Sequence, residues 1–372
     1  REIVLRRIKL AMLVNDLNMN GISNVVLSYC RELNKYEFEI HIIAGTPVNP
    51  VHRQDAIQNN IVITELPSRK KESRHYYKRL FEVLRDEKFD IVHVHGNSAT
   101  MTVELFLAWL SGTTVRIAHS HNTTCSNMKV HKLLYPFFSL LYTDGFACSD
   151  AAGKWLFHNK PFTVIYNGFR TEKFVFNRDS RKEIREALHI KDSDFVMGHV
   201  GRFNSQKNHE FLLRVFESVA TINLNAWLLL IGDGPDFEKV KQMVSLHPNK
   251  ERIIVYGETK ETAKMYSAMD VFVFPSKFEG LGIVALEAQI SGLPCIVSDN
   301  VPKDVILSDN IQFVSLCDKK EWIESVLAQE RFDQSSREEF YEANRNSIMK
   351  YDIDNDVKLL ERQYLTCLNM IS

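Results

Sequence analysis

Two carboxylates in the second half of the chain bracket a stretch of backbone that could bind an anion. The run Val271–Pro275 predicts a buried strand, and the helix that follows is predicted to end near Gly292. Glu279 lies in the loop between them, and Glu287 lies about one turn into the helix, eight residues later. The free N–H groups at a helix start attract an anion, aided by the helix dipole. We therefore predict an anion site at the backbone of Gly280, Leu281, Gly282 and Ile283.

Two basic side chains earlier in the same half of the chain could bind the same anion. Arg202 and Lys207 flank a short loop after a strand that is predicted to end at Gly201. Arginine binds phosphate oxygens through a planar fork, and lysine acts as a point charge. Together they can neutralise a diphosphate. The alternative interpretation is a pair of solvated surface cations.

Four histidines belong to two predicted strands of the first half. His93 and His95 are two residues apart and therefore face the same side of the strand Asp90–His95. A metal site would need a third ligand nearby, so we interpret these two as structural. His119 and His121 stand where the strand that begins at Val115 ends. A single histidine there could equally be a structural residue.

The elements that must position these side chains form two consecutive blocks. In each block, short β-branched runs alternate with amphipathic segments, which predicts two doubly wound parallel sheets. Glycines follow many of the strand runs, at the end where α/β sheets bind ligands. The turn-rich stretch Tyr166–Phe174 marks the boundary between the blocks. We predict an N-terminal domain over residues 1–168, a C-terminal domain over 169–350, and a helix over 351–372 that crosses back to the first domain.

The composition excludes several classes of protein. The chain has 372 residues, 46 Lys+Arg against 47 Asp+Glu, and 45% apolar residues. A formal net charge of −1 argues against a protein that coats nucleic acid, and the average composition argues against a disordered chain. Six separated cysteines without a CxxC pair favour reduced thiols and a cytoplasmic location. The longest apolar run, Leu133–Thr143, is too short to span a membrane, and we expect no signal peptide.

The E-G-L-G…E segment resembles the signature of family 4 glycosyltransferases, which are retaining enzymes with the GT-B fold. Three further segments are similar to family motifs: the Gly201-Arg202…Lys207 loop, the strand and turn Leu228–Pro235, and the hinge Asn167–Phe169. The resemblance covers nearly the whole chain. It implies two Rossmann-like domains that face a cleft, with the donor held mainly by the second. The implied reaction moves a sugar from a nucleotide diphosphate sugar to an acceptor hydroxyl, with retention.

The resemblance also implies roles for individual residues. Arg202, Lys207 and the amides of residues 280–283 would stabilise the leaving diphosphate. Glu279 would hold the sugar hydroxyls and Glu287 the ribose. His121 matches the family's histidine beside the acceptor, with His119 as the second choice. Gly21 stands where the family carries a glycine-rich loop that faces the substrates, although only one glycine of the common pair is present.

We expect no cofactor and no metal ion, because the cations and helix amides supply the positive charge. The pair Asp192 and Asp194 has the form of a metal-binding motif, but it precedes a predicted strand and so lies at the wrong end of the sheet. The expected partner is a nucleotide sugar, with a UDP-sugar favoured by frequency in the family. Nucleic acid is not expected. Cell-surface polysaccharide synthesis is the process that the family implies.

The stretch 69–79 contains six Lys/Arg and two adjacent tyrosines. It predicts either a solvated surface or a contact with anionic lipid or a lipid-linked saccharide acceptor at the inner face of a membrane. Two other functions remain open at this point. A GT-B epimerase would turn over a UDP-sugar without an acceptor. A non-catalytic protein would bind the nucleotide sugar without any turnover.

Overall fold

The computed structural model describes residues 6–18, 21–331 and 334–369, without the side chain of residue 331. It divides into two compact units. The first comprises Arg1–Phe169 and Lys350–Ser372, and the second comprises Arg170–Met349.

The first unit is built on a seven-stranded sheet in which all strand pairs are parallel, in the order β3-β2-β1-β4-β5-β6-β7. Parallel strands covered on both faces read as continuous apolar runs, and the residues of Leu10–Leu13 are almost fully buried. The strands are β1 Ile8–Val14, β2 Phe38–Gly45, β3 Val62–Leu66, β4 Ile91–Gly96, β5 Val115–Ser120, β6 Asp144–Ala147 and β7 Thr163–Val164. The helices between them are α1 Gly21–Glu32, α2 Pro50–Gln58, α3 Ser73–Glu87, α4 Thr102–Leu110, α5 Met128–Leu141 and α6 Asp150–Phe157.

The second unit repeats this architecture with a six-stranded parallel sheet in the order β10-β9-β8-β11-β12-β13. Its strands are β8 Phe195–Val200, β9 Ala226–Ile231, β10 Ile253–Gly257, β11 Val271–Phe274, β12 Cys295–Ser298 and β13 Ile311–Val314. Its helices are α7 Arg178–Ala187, α8 His209–Ile222, α9 Phe237–Ser245, α10 Thr262–Ala268, α11 Ile283–Ile290, α12 Lys319–Ala328, α13 Phe340–Ala343 and α14 Arg345–Ile348. The predicted α/β fold with two doubly wound parallel sheets is therefore confirmed.

The last helix, α15 (Ile353–Asn369), packs against α1 of the first unit. Its buried Asp356 carboxylate accepts hydrogen bonds from Tyr29 Oη at 2.5 Å and from the Gly168 amide at 2.8 Å. A Cβ on Gly168 would stand 2.8 Å from Asp356 Cβ, so this contact requires glycine. Within the described ranges, every helix is too short or too polar to cross a bilayer.

Candidate functional site

An ion pair joins the two loops of the second unit that carry the predicted substrate-binding Lys207 and the predicted catalytic Glu279. Lys207 lies in the loop after β8, and Glu279 lies in the loop after β11, the neighbouring strand of the sheet. The Lys207 ammonium stands 2.7 Å from Glu279 Oε1, and the two side chains are only 12% and 9% exposed. The structure therefore brings these two predicted residues into direct contact at the carboxyl end of the sheet.

Neighbouring groups hold both partners of this pair. Ser276 Oγ donates to Glu279 Oε1 at 2.5 Å, and the Lys207 ammonium lies 4.6 Å from the centre of the Phe274 ring. The two loops are also joined directly, because Gln206 Nε2 donates to the Phe278 carbonyl at 2.9 Å. Ser276 and Phe274 are residues that the sequence analysis missed. Fixed in this way, the pair offers an ordered cation and carboxylate without rearrangement.

The helix start that follows Glu279 has the geometry of an anion site. Residues 280–282 are buried, and Gly282 has a left-handed φ of +96° immediately before α11 begins at Ile283. The helix has no side-chain hydrogen bond at its N-cap, so its first amides depend on other acceptors. A phosphate oxygen is such an acceptor.

Glu287 lies on the second turn of α11. Tyr266 Oη donates to Glu287 Oε2 at 2.7 Å, which fixes the carboxyl orientation. Burial raises the pKa of Glu287 to about 7, although the Tyr266 hydrogen bond and the Lys207 charge both act to lower it. The group therefore changes charge near neutral pH and can donate or accept a hydrogen bond. Tyr266 was not predicted as a site residue.

The remaining predicted residues of the second unit fall in two places. Arg202 is exposed, two residues after the end of β8, on the same loop as Lys207. The aspartates that mimic a metal motif lie before β8, at the opposite end of the strand. Asp194 there accepts a hydrogen bond from Trp227 Nε1 at 3.1 Å, and this contact gives it a structural role.

In the first unit, His121 lies just after β5 and is buried. Its Nε2 is 2.9 Å from His95 Nδ1, and His95 Nε2 is 3.4 Å from Met12 Sδ. A thioether sulfur carries no proton, so His95 Nε2–H donates to Met12 and His95 Nδ1 accepts from His121. This network assigns the proton of neutral His121 to Nε2 and leaves a lone pair on Nδ1.

Burial lowers the pKa of His121 to about 3, although the Asn167 side chain acts to raise it. The ring is therefore neutral at physiological pH. Within the described residues, His121 Nδ1 and Asn167 Oδ1 are buried and make no hydrogen bond of ordinary geometry. Nδ1 is thus the ring nitrogen of His121 that His95 does not engage, and it could accept a hydrogen bond from a ligand.

The other two histidines complete a buried cluster. His95 and His119 are register partners on β4 and β5, and His93 Nε2 is 3.1 Å from His119 Nδ1. One ring nitrogen from each of His93, His95 and His119 lies within 4.8 Å of the others. Pairing of β4 with β5 thus places His119 where a third ligand beside His93 and His95 would stand, and the structural interpretation of His93 and His95 stays a prediction. A His-x-His repeat on consecutive strands was the signal for this cluster. Burial lowers the pKa of all three well below the usual range, so all are neutral.

Gly21 is the first residue of α1 and is exposed. A Cβ built on it would meet open space, and its preceding neighbours, residues 19 and 20, lie outside the described residues. The structure thus gives no steric reason for glycine at this position.

The basic stretch 69–79 is less available than its composition suggests. Arg69 is mostly buried, with its guanidinium 3.0 Å from the buried Glu104 carboxylate and 2.6 Å from Asn15 Oδ1. Tyr76 is buried in the core, and Arg79 pairs with Glu82 at 3.1 Å. The sequence could not reveal the Arg69 pair because Glu104 lies on α4, 35 residues away.

Two family models match consecutive parts of the chain. Residues 19–173 match the family described as Glycosyltransferase Family 4, and residues 180–347 match Glycosyl transferases group 1. The putative glycosyltransferase EpsF of Bacillus subtilis is 33% identical over 228 residues, covering 58% of this chain and 59% of EpsF. The UDP-Gal:alpha-D-GlcNAc-diphosphoundecaprenol alpha-1,3-galactosyltransferase of Escherichia coli is 31% identical over 236 residues, covering 59% and 60%. The chain thus spans about three fifths of the length of these curated relatives.

The fold has solved counterparts. The crystal structure of HepE from Anabaena, in complex with UDP and glucose, matches with a TM-score of 0.80 and 13% identity. The match covers 96% of this chain and 99% of HepE. The fold of this chain, with its two Rossmann-like units, is therefore the GT-B fold.

Proposed function

We propose that this chain, which belongs to the glycosyltransferases with Family 4 and group 1 domains, transfers a sugar from a nucleotide diphosphate sugar to an acceptor hydroxyl with retention. The observation that carries the proposal is the buried Lys207–Glu279 pair beside the start of α11. A fixed cation and a row of amides stand there next to a carboxylate. This combination suits a sugar bound to a diphosphate better than it suits a free sugar or a free diphosphate.

The proposed chemistry concentrates on the leaving group. When the bond from the sugar to the diphosphate breaks, negative charge develops on the phosphate oxygens. Lys207, Arg202 and the amides of residues 280–283 would stabilise that charge, and they would cost little reorganisation because the loops are already joined. Glu279 would hold the sugar hydroxyls, and Glu287 would bind the ribose.

His121 would act as a hydrogen-bond acceptor beside the incoming hydroxyl. A pKa of about 3 makes it a poor proton acceptor at neutral pH, so its proposed role is to orient the acceptor through Nδ1. The geometry of its pair with His95 supports this role, since that pair engages Nε2 and not Nδ1.

For the donor, we propose a UDP-sugar. The HepE complex with UDP and glucose and the UDP-Gal enzyme of Escherichia coli support this choice. For the acceptor, we propose a lipid-linked saccharide in cell-surface polysaccharide synthesis, in line with the diphosphoundecaprenol named for the Escherichia coli relative. We further propose that transfer needs no metal ion, because Lys207 and the helix start supply the positive charge.

The direct test is transfer itself. The full chain is incubated with UDP-glucose or UDP-galactose and a lipid-linked diphosphate saccharide, with EDTA present, and the product is examined by NMR. An α-linked product from the α-linked donor supports a retaining transferase. A β-linked product contradicts retention, and release of an epimerised UDP-sugar without acceptor would identify an epimerase. Binding of the donor without any turnover would identify a non-catalytic protein.

A further inference from the structure

The phenol of Tyr266 connects helix α10 to the carboxyl group of Glu287 on α11. The two helices pack against each other in the second unit. Tyr266 is completely buried, whereas Glu287 is half-buried and can be reached by a ligand. Tyr266 Oη lies 2.7 Å from Glu287 Oε2 and 3.3 Å from the Val284 carbonyl, which also belongs to α11. A ligand that reaches Glu287 therefore meets a carboxyl group held from behind.

The Tyr266 side chain is itself fixed on several sides. Its ring lies edge-on to Phe174 and Phe272, with ring centres 6.0 and 5.8 Å away. Aromatic pairs at such distances and angles are favourable. The backbone carbonyl of Tyr266 accepts a hydrogen bond from Arg337 Nη2 at 3.0 Å. The phenol oxygen therefore has a defined position in the absence of a ligand.

The buried Arg337 holds the ends of α10 and α11 together. Its Nη1 donates to the carbonyl of Met269, just after α10, at 2.8 Å. Its Nε donates to the carbonyl of Ser291, just after α11, at 2.9 Å. A guanidinium is planar and presents its donors in a rigid arrangement. The phenol and the carboxyl group thus stand on two helices whose ends one side chain joins.

A glutamate that binds a ligand needs such support more than a shorter side chain does. Its rotatable bonds give it many conformations, and ordering them on binding costs free energy. The Tyr266 hydroxyl can hold Glu287 in both charge states. It donates to the ionised carboxylate, and it can accept from the protonated acid while it donates to the Val284 carbonyl.

We infer that Tyr266 is a positioning residue through which Glu287 selects a nucleotide with intact ribose hydroxyls. The inference rests on the proposed function, in which Glu287 binds the ribose. The tyrosine engages Oε2 and not Oε1, so the carboxyl group keeps acceptor positions for the sugar. A sugar without these hydroxyls leaves the carboxyl group without a donor, which costs affinity. Without Tyr266 Oη, the carboxyl group must be ordered by the ligand itself, and the preference weakens.

Calorimetric titration of the full chain with UDP and with dideoxy-UDP, whose sugar lacks both ribose hydroxyls, tests this inference. The ratio of the two affinities is the readout. The wild type should bind UDP about tenfold or more tightly than dideoxy-UDP. Tyr266→Phe keeps the ring contacts and should fold, but it should lower this ratio by roughly fivefold. Pyrophosphate affinity should stay unchanged in Tyr266→Phe, because Lys207 and the start of α11 are intact.

Two further variants separate positioning from a structural role. In a Glu287→Ala background, Tyr266→Phe should not change the affinity ratio further, because the tyrosine acts through the carboxyl group. Tyr341→Phe is the matched control. Tyr341 is another buried tyrosine of the second unit, and its Oη lies 3.2 Å from Thr171 Oγ1. Its loss of one hydroxyl should leave the ratio as in the wild type.

Three results would overturn the inference. The first is equal wild-type affinity for UDP and dideoxy-UDP. The second is an unchanged ratio in Tyr266→Phe, with both affinities lowered alike, which would assign the tyrosine a structural role. The third is a further drop of the ratio when Tyr266→Phe is added to Glu287→Ala. A wild type that binds neither nucleotide would contradict the proposed function as well, whereas the second and third results leave that function standing.

Discussion

Replacing Lys207 by alanine removes the ammonium from a carboxylate that the fold keeps almost out of water. Glu279 is buried, and Ser276 Oγ holds one of its oxygens at 2.5 Å. The carboxylate cannot turn to solvent without breaking that hydrogen bond. The variant Lys207→Ala should therefore destabilise the second unit, in addition to any effect on ligand binding.

The loss of unfolding free energy expected for Lys207→Ala follows from the geometry of the ion pair. At the observed 2.7 Å, two unit charges attract by roughly 6 kcal/mol at an effective dielectric constant near 20. Desolvation offsets much of this attraction, but breaking a buried pair by removing one partner still costs about 3–5 kcal/mol. Because both side chains keep some exposure, we expect the lower end, about 3 kcal/mol, for Lys207→Ala. The double variant Lys207→Ala/Glu279→Gln should be less destabilised than the sum of the single variants by about 2 kcal/mol.

Urea unfolding followed by tryptophan fluorescence measures this coupling. Trp227 and Trp322 lie in the second unit, so a background with Trp109→Phe and Trp155→Phe reports on that unit alone. The control Lys320→Ala removes an exposed lysine of α12 and should change the unfolding free energy by less than about 0.5 kcal/mol. Additive single and double variants, within about 0.5 kcal/mol, would refute the reasoning.

Three further predictions concern single groups. The raised pKa of Glu287, about 7, means that folding favours its protonated form, so its contribution to stability is lost as pH rises from roughly 4.5 to 7. Glu287→Gln should therefore lose less stability than the wild type over that range in urea titrations, and equal losses would contradict the shift. Gly282→Ala places a Cβ at φ +96° and should cost roughly 1–2 kcal/mol, measured by the same unfolding, whereas an unchanged midpoint would show that the loop relaxes. Nitrogen-15 NMR should find the proton of His121 on Nε2 and a tautomer mixture in His95→Leu, and a wild-type proton on Nδ1 would contradict the assigned network.

Much of the fold could be predicted because parallel strands covered on both faces leave a plain signal. Runs such as Leu10–Leu13 and Val271–Phe274 are continuously apolar and short, and helical segments separate them. Pairing of β8 with β11 could not be read from either strand, since nothing in their sequences encodes the order of the sheet. That pairing is what brings Lys207 to Glu279 across 72 residues.

The supporting residues of the site were harder to predict than the charged ones. Ser276 and Tyr266 have ordinary side chains whose importance depends on one tertiary hydrogen bond each. For Arg69, the charge was recognised but its surroundings were not. A charged residue of this stretch suggested an exposed cation, but Arg69 forms a mostly buried ion pair with the distant Glu104. The local sequence therefore predicts which side chains could do chemistry, but it does not predict which distant residue pairs with a buried polar group.

Calorimetric titration with UDP, in the presence of EDTA, tests the central claim most directly. The wild type should bind UDP, Lys207→Ala should bind it at least tenfold more weakly, and the control Lys320→Ala should bind it like the wild type. GDP and ADP titrated in parallel establish whether the site prefers one base. Equal UDP affinity in the wild type and in folded Lys207→Ala would contradict a diphosphate site at the start of α11.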